Sequence, residues 1–170
     1  SFNNIVSVIN AATSTVNQTI EVGDVPVSLV LENGNLWVLS AGLPFYADAG
    51  ETFGGISKIN MNSLQVEREW EIPGHPANFV EENEAFYYTQ ENTVFNFSPS
   101  EEGQAITPIL ELNDVEVLYD FNVLDSKIYA ASATTDFTGN GRLFIYDLSN
   151  ENAITSFQTG INPNGIFLNE

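Results

Sequence analysis

The stretch that decides the fold is IVSVINAATSTVNQTIEVGDVPVSLVLENGNLWVLS, Ile5 to Ser40. Its first apolar run ends at Asn10, and a second run, in which β-branched residues alternate with polar ones, ends at a turn bracketed by Gly23 and Pro26. A third run crosses Asn33-Gly34 into a fourth run that contains a tryptophan. A period of two predicts strands, and Asn-Gly is a strong hairpin signal because it tolerates positive φ. The stretch therefore predicts four antiparallel strands joined by short turns.

The same pattern returns along the chain. Further copies begin near residues 56, 94 and 143, and aligning the copies on Ile9, Ile59, Phe97 and Tyr146 gives spacings of 50, 38 and 49 residues. A period of about 45 residues with four strands per unit is typical of propeller blades. We predict an all-β protein, a β-propeller of four-stranded antiparallel blades, over residues 1–170 with no second domain.

This repeat resembles that of the YVTN-type (YncE-like) β-propeller proteins, in which a strand with a Val-Ile-Asp-like end leads to Ile-x-Val-Gly-x-x-Pro. The matching residues are Val8-Ile9-Asn10, Ile20 to Pro26 and Gly160 to Pro163, and the resemblance covers nearly the whole chain. The third copy departs from the pattern, since Asn113-Asp114-Val115 stands where the Gly/Pro turn is expected. The resemblance implies a scaffold of secreted or surface-anchored proteins. Some of these are lipoproteins of Bacteroidota that serve nutrient uptake, and certain members capture cobalamin for an outer-membrane transporter.

The family's strand order predicts how much of a propeller is present. With the strand after each Gly/Pro turn innermost, the sequence holds two outer strands, three complete blades and one inner strand, Pro163 to Asn169, or about 3.75 blades. We expect the C-terminal half of a ring of about seven blades, with a self-contained four-bladed ring as the alternative. Unpaired strand edges would make such a half-ring dimeric or prone to aggregation.

Composition excludes several functions. The chain has 23 Asp plus Glu against four Lys plus Arg, a net charge of -19, so nucleic acid and anionic membrane surfaces are not expected partners. No apolar run is long enough for a membrane span, and the absence of cysteine excludes disulfide and thiol chemistry. The sequence opens with Ser1 and shows no secretion signal, which suggests a processed, truncated or partial chain.

Two long loops are the first candidate sites. They are Ala41 to Gly54 and Ser132 to Gly141, and loops longer than a turn requires tend to carry function. Phe45 and Tyr46 lie in the first loop, where no strand alternation buries them, so they are candidates for stacking on a flat ligand or a partner. The alternative is a loop folded back over its own aromatic rings.

The loop acids are candidate calcium ligands. Asp48, Glu51 and Asp136 with Asn140 supply hard oxygen atoms, but no Asp-x-Asp-x-Asp-Gly loop is present. We therefore interpret them as solvated residues and predict no cofactor, with calcium as the alternative. His75 is the chain's single histidine, without the partners that a catalytic triad or zinc site requires, so we interpret it as a turn residue at the mouth.

One inner-strand position is polar in three copies. Aligning the repeats places Ser28, Asn78, Asp120 and Gly165 at the same position, facing the channel or packing near its mouth, and Asp120 is the one charge among them. Up-and-down topology puts second-to-third-strand loops at the same end as blade-to-blade turns. We therefore expect Phe45, Tyr46 and Asp136 to share a face with the turn residues Asp24, His75, Asp114 and Asn162.

These patterns favour a non-catalytic binding propeller, extracellular or on the outer-membrane surface, with the periplasm also open. Its partner would be a small molecule, cobalamin-like by the resemblance, or an outer-membrane transporter or other surface protein. One alternative is a seven-bladed lactonase or lyase type of enzyme whose catalytic groups lie largely outside these 170 residues. Another is a propeller that only docks proteins.

Overall fold

The computed structural model describes residues 3–98, 108–148 and 153–167, and every regular element in these ranges is a β-strand. The strands are β1 (Ile5–Asn10), β2 (Thr15–Glu21), β3 (Pro26–Glu32), β4 (Asn35–Ser40), β5 (Gly54–Asn60), β6 (Gln65–Ile72), β7 (Ala77–Glu82), β8 (Ala85–Gln90), β9 (Thr93–Phe97), β10 (Pro108–Glu111), β11 (Val117–Leu124), β12 (Lys127–Ala133), β13 (Asn140–Asp147) and β14 (Thr155–Ile161). The described ranges contain no helix able to cross a membrane.

The strands form three four-stranded antiparallel sheets, β3-β4-β5-β6, β7-β8-β9-β10 and β11-β12-β13-β14, and one two-stranded sheet, β1-β2. Neighbouring strands in each sheet follow one another in sequence, which is the up-and-down order of a propeller blade. The predicted fold class, a partial β-propeller of four-stranded antiparallel blades, is confirmed.

The chain divides into two compact units, Ser1–Phe79 and Val80–Glu170, and each has its own core. The core of the first unit includes Ile20, Val22, Val38 and Ile59. The core of the second unit includes Val94, Leu110, Leu112, Val115, Phe121, Val123, Ile128, Ala130, Phe144 and Tyr146. Burying a large apolar side chain contributes about 1.5–3 kcal/mol to folding. The apolar residues that alternate along the strands therefore supply most of the driving force for folding.

The hairpins that begin the four-stranded sheets share one turn geometry. Both central residues of each turn have positive φ: Asn33 (48°) and Gly34 (73°), Asn83 (53°) and Glu84 (67°), Asp125 (50°) and Ser126 (59°). Such turns twist in the same sense as the strands they join. The turn predicted at Asn33-Gly34 therefore occurs where the sequence placed it, and the other two hairpins repeat its geometry.

Two outer hairpins also repeat one motif. The Asn10 side-chain oxygen accepts hydrogen bonds from the backbone N–H groups of Ala12 and Thr13, and Asn60 makes the equivalent pair of bonds with Asn62 and Ser63. Asparagine stabilises a turn in this way because its short side chain mimics a backbone carbonyl. The Asn that ends the first strand of the sequence repeat is therefore a turn-forming residue.

The structure corrects two boundaries expected from the sequence. β12 ends at Ala133 and β13 begins at Asn140, which shortens the second long loop to residues 134–139. The strand predicted from Pro163 to Asn169 is not formed over 163–167, and residues 168 and 169 lie outside the described ranges. Gly165 has φ of 84°, which breaks the extended conformation, and side chains of β11 hold this segment instead of a strand ladder.

An apolar stripe on β3 is exposed to solvent. It consists of Val27, Leu29 and Leu31, which alternate along the strand. Leu29 is 56% exposed, whereas the residues at its equivalent position in the next two repeats, Phe79 and Phe121, are 3% and 4% exposed. The position that is buried in the next two repeats is therefore exposed to solvent on β3. A contiguous exposed apolar surface of this kind favours association.

We predict that Leu29→Lys combined with Leu31→Lys lowers self-association of the 170-residue chain in sedimentation velocity. The free energy of unfolding should change by only about 0.5 kcal/mol or less, because both side chains are exposed. Ile59→Ala is the control, since it truncates a fully buried side chain and should cost about 2–5 kcal/mol. A wild-type chain that stays monomeric at high concentration would contradict the prediction.

Candidate functional site

The long connection between β4 and β5, residues 41–53, carries two exposed aromatic rings and is named the aromatic loop here. Phe45 is 80% exposed and Tyr46 is 69% exposed, and the two rings meet edge to face with centroids 5.3 Å apart. They occupy the middle of a turn closed by a hydrogen bond from the Ala47 N–H to the Pro44 carbonyl, 2.9 Å. Central turn positions project outward. The rings are thus presented to solvent rather than covered by their own loop.

Hydrogen bonds fix the base of the aromatic loop to the β2–β3 turn. The Leu43 N–H donates to the Thr52 hydroxyl at 2.8 Å, and that hydroxyl donates to Asp24 Oδ2 at 2.9 Å. The Gly42 N–H donates to the Asp24 carbonyl at 2.9 Å. Gly42 has φ of 77°, and a Cβ there would lie 2.3 Å from the Thr52 carbonyl oxygen. The close approach of the two ends of the loop therefore requires glycine.

His75 makes a second attachment. Its Nδ1 lies 2.9 Å from the Ala41 carbonyl oxygen, and its Nε2 lies 3.1 Å from Oε1 of Glu51. The Ala41 carbonyl, followed by the Glu51 carboxylate, raises the pKa of His75. Within the first unit the structure thus brings together the aromatic loop and the turns of Asp24 and His75.

A pocket of about 490 Å³ lies beside the aromatic rings. It is lined by Tyr46, Asp24 and Asp48, together with Asn3 and Asn4. Asp48 is exposed there, so it is one of the predicted site residues that adjoin the rings. The pocket combines an aromatic face with carboxylate and amide groups, which suits a ligand that has both an apolar surface and hydrogen-bond donors.

Asp136, in the second unit, is satisfied within its own loop. Its carboxylate accepts hydrogen bonds from the Thr134 hydroxyl at 2.8 Å, the Thr138 N–H at 3.0 Å and the Thr138 hydroxyl at 2.7 Å. The Thr138 hydroxyl, the Thr138 N–H and the Thr134 hydroxyl hold the pKa of Asp136 well below its ordinary range. This geometry makes Asp136 the organising residue of the 134–139 loop.

The inner-strand position predicted to face a channel makes contacts between repeats. The Ser28 hydroxyl donates to the Phe79 carbonyl at 3.2 Å. Asp120 Oδ2 accepts from the N–H groups of Gly165 and Ile166 at 2.8 and 2.9 Å. Asn78, the other predicted residue at this position, is partly buried with φ of 51° on β7. At Ser28 and Asp120 the side chains therefore tie one repeat to the backbone of the next.

Of two further predicted residues, Asn162 lies beside the second long loop, because it follows Ile161, which pairs with Asn140 at the end of that loop, whereas Asp114 lies apart from it. The Asp114 carboxylate is 3.4 Å from the Tyr146 hydroxyl and from the Ala153 N–H, near the end of β13 that is remote from residues 134–139. Asn162 has φ of 50° and is partly buried, and its side-chain oxygen has no hydrogen-bond partner among the described residues. The structure does not bring Asp114 beside Asp136.

Sequence reasoning missed a second exposed aromatic pair. Phe137, in the 134–139 loop, lies with its ring centroid 6.2 Å from that of Tyr119, and both side chains are exposed. The signal was an aromatic residue inside a polar, Gly-containing loop, the feature that singled out Phe45 and Tyr46.

A pocket of about 480 Å³ in the same unit is lined by Glu91, Glu111 and Glu116, among others.

The described ranges contain no group of three His, Cys, Asp or Glu side chains placed to hold a metal ion. Two of the candidate calcium ligands, Asp48 and Glu51, lie in the aromatic loop. Of the two, Glu51 has a defined partner, the His75 ring.

Comparison with known proteins gives the fold. No protein-family model matches the sequence, and no curated protein matches it significantly. Hydrazine synthase of Kuenenia stuttgartiensis is similar in structure, with a TM-score of 0.66 and 12% identity over 92% of this chain and 44% of that one. AztD of Citrobacter koseri has TM-scores of 0.48 and 0.49 in two structures, at 14% and 13% identity over 94% of this chain. This chain has the fold of a β-propeller. It spans less than half the length of these neighbours.

We predict that Asp136→Asn lowers the melting temperature and the hydrogen-exchange protection of the Thr138 and Gly139 amides. A depressed pKa means that the carboxylate stabilises the fold above its ordinary pKa of about 3.9 and loses that effect as the pH falls below it. The difference in melting temperature between wild type and variant should therefore be constant above about pH 5 and shrink below pH 4. Asp48→Asn is the control for removing a loop carboxylate. A difference that grows on acidification would contradict this role of Asp136.

Proposed function

We propose that this chain is a non-catalytic binding propeller whose ligand or partner contacts the aromatic loop. The observation that carries the proposal is the exposed Phe45–Tyr46 pair on a loop whose base is fixed by hydrogen bonds. Contact of large aromatic rings with water is unfavourable, so covering them with a ligand or partner lowers the free energy. Aromatic residues on a fixed backbone also lose little conformational entropy on binding. Tyrosine and other large side chains dominate the energetics of known interfaces.

The pocket beside the rings supports a small-molecule ligand. Its volume of about 490 Å³ is within the range of roughly 300–1,000 Å³ that ligand pockets occupy. Asp24 and Asp48 give it acceptors for ligand N–H or O–H groups, and Tyr46 gives it a flat apolar face. A ligand larger than the pocket would extend across the exposed ring of Phe45.

The cationic side chains support a role without catalysis. Lys58 lies 5.7 Å from the Trp37 ring centroid, Arg68 lies 4.8 Å from that of Trp70, and Arg142 lies 5.8 Å from that of Phe144. These are three of the four Lys and Arg residues in the chain, and each covers an aromatic ring on a strand. Hydrolytic and lyase sites need clustered titratable groups. The placement of these cations on packing surfaces leaves few for such a cluster.

We further propose a location outside the cell or on the outer-membrane surface and a nutrient ligand of the cobalamin type that passes to an outer-membrane transporter. The support is the resemblance of the repeat to YVTN-type propellers, including lipoproteins of Bacteroidota, together with the net charge of -19, which favours solubility. Cobalamin fits the proposed chemistry because its corrin ring offers a flat face and its amide side chains offer hydrogen-bond donors.

We predict that Phe45→Ala combined with Tyr46→Ala weakens ligand binding by about 2 kcal/mol or more, because the two rings supply the buried area of the contact. Stability should change by only about 0.5 kcal/mol, since both rings are exposed in the unbound chain. Isothermal titration calorimetry with cyanocobalamin, and in a separate titration with calcium chloride, measures the binding. Absorbance of the purified protein detects a ligand retained during purification.

Asn33→Gly is the matched control for binding, because the Asn33-Gly34 turn lies at the opposite end of β4 from the aromatic loop. It should leave the affinity unchanged. Loss of binding in Asn33→Gly but not in the double variant would place the site at the wrong end of the sheet. Absence of heat with cyanocobalamin would contradict the cobalamin part of the proposal, and a catalysed reaction of a bound lactone would contradict the non-catalytic part.

A further inference from the structure

The two contacts of His75 impose a protonation state on its ring. The Ala41 carbonyl oxygen, 2.9 Å from Nδ1, can only accept a hydrogen bond, and the Glu51 carboxylate, 3.1 Å from Nε2, also only accepts. A neutral imidazole has one N–H and one lone pair, so it can satisfy one of these acceptors and must turn a lone pair toward the other. Only the doubly protonated imidazolium donates to both.

The two acceptors come from the two ends of the aromatic loop. Ala41 begins the loop and Glu51 lies near its end, while His75 belongs to the turn between β6 and β7. A backbone hydrogen bond also attaches that turn, from the Gly54 N–H to the Gly74 carbonyl at 2.9 Å. The imidazolium therefore joins three segments at the base of the loop that presents Phe45 and Tyr46.

We propose that His75 is a pH-dependent clasp on the aromatic loop, closed when its ring carries two protons and opened by the loss of one. The clasp is the pair of hydrogen bonds from the ring to Ala41 and Glu51. When it opens, the Glu51 end of the loop is released while the Thr52–Asp24 bond remains. Control of loop order follows from the geometry alone, whereas control of ligand binding rests on the proposed function.

The charged surroundings agree with this assignment. The loop contributes Glu51, which is the one charged group that acts on the pKa of His75, and the Ala41 carbonyl raises that pKa further. The β2–β3 turn contributes Asp24, whose Oδ2 accepts from Thr52. Strand β6 contributes the exposed Glu71 before it ends, and no other residue from 73 to 77 is charged. Glu51 favours the protonated ring, and no cation from these elements opposes it, although the ring and Glu51 are both partly solvated, which moderates the effect.

The direction of the pH effect follows from the raised pKa. A group whose pKa is higher in the folded chain contributes its full stabilisation below its ordinary pKa, about 6.5 for histidine, and loses it as the pH rises through the folded value. The aromatic loop should therefore be most ordered in mildly acidic solution and should loosen on going to mildly alkaline solution.

The test uses the fact that His75 is the chain's single histidine, so its ring gives one set of resonances in NMR. Wild type should titrate above pH 6.5, and Glu51→Gln should titrate at a lower pH because a glutamine amide can donate to the neutral ring. Amide hydrogen exchange is then compared for Gly42, Leu43, Thr52 and Gly54 between wild type and Glu51→Gln at each pH, which cancels the intrinsic pH dependence of exchange. We expect relative protection in wild type to fall by about fivefold between pH 6 and pH 8.5, the effect of losing roughly one hydrogen bond. Glu21→Gln, an exposed acid on β2, is the matched control and should behave as wild type.

The outcomes separate the clasp from the proposed function. A His75 ring that titrates at or below pH 6.5, or a protection ratio that is constant with pH, overturns the clasp whether or not a ligand binds. Protection that follows the His75 titration, with no binding of cyanocobalamin at either pH, supports the clasp and contradicts the cobalamin proposal. Calorimetric binding of cyanocobalamin that weakens in parallel with protection in wild type, and not in Glu51→Gln, supports both.

Discussion

The structure depends on turns in which two consecutive residues adopt positive φ. Each such turn fixes the pairing of the first two strands of a four-stranded sheet, and a shift of one residue would move every apolar side chain to the opposite face. Asn33-Gly34 meets this requirement with residues that adopt the conformation readily. Asn83-Glu84 meets it with a glutamate, and the Glu84 N–H is stabilised there by a 2.6 Å hydrogen bond to the Glu81 carboxylate. The local chemistry of these few residues thus determines which faces become the core.

The aromatic loop shows how a sheet of this kind can carry a binding surface. All residues of β4 pair with β5, so the 13 residues between the two strands, 41–53, add nothing to the sheet itself. Their order comes from contacts with other turns: Thr52 with Asp24, and His75 with both ends of the loop. A loop held in this way can expose Phe45 and Tyr46 without collapsing onto them. The attachments lie at the base of the loop, so the two rings project beyond the residues that hold it.

The acidic composition has a structural counterpart. With 23 acidic and four basic residues, most carboxylates cannot find a cationic partner. Several are satisfied by backbone and hydroxyl donors instead: Asp136 by Thr134 and Thr138, and Asp120 by the backbone at 165 and 166. At Asp136 these bonds also hold the pKa of the carboxyl group well below its ordinary range. A chain with few cations can therefore still use its acids to organise loops.

The sequence by itself determined the strands, their antiparallel order and the inner hairpin turns, because period-two alternation and positive-φ residues are local properties. It also picked out Phe45 and Tyr46, since an aromatic residue in a polar loop is visible without coordinates. Tertiary structure decided what the remaining polar residues do. Asp120 contacts backbone 45 residues away, and His75 meets acceptors 34 and 24 residues away, so neither role could be deduced from local sequence. The same applies to the end of the chain, where residues read as a strand from their apolar pattern lack a strand ladder over 163–167, because a strand requires a neighbour with free backbone groups as well as the pattern.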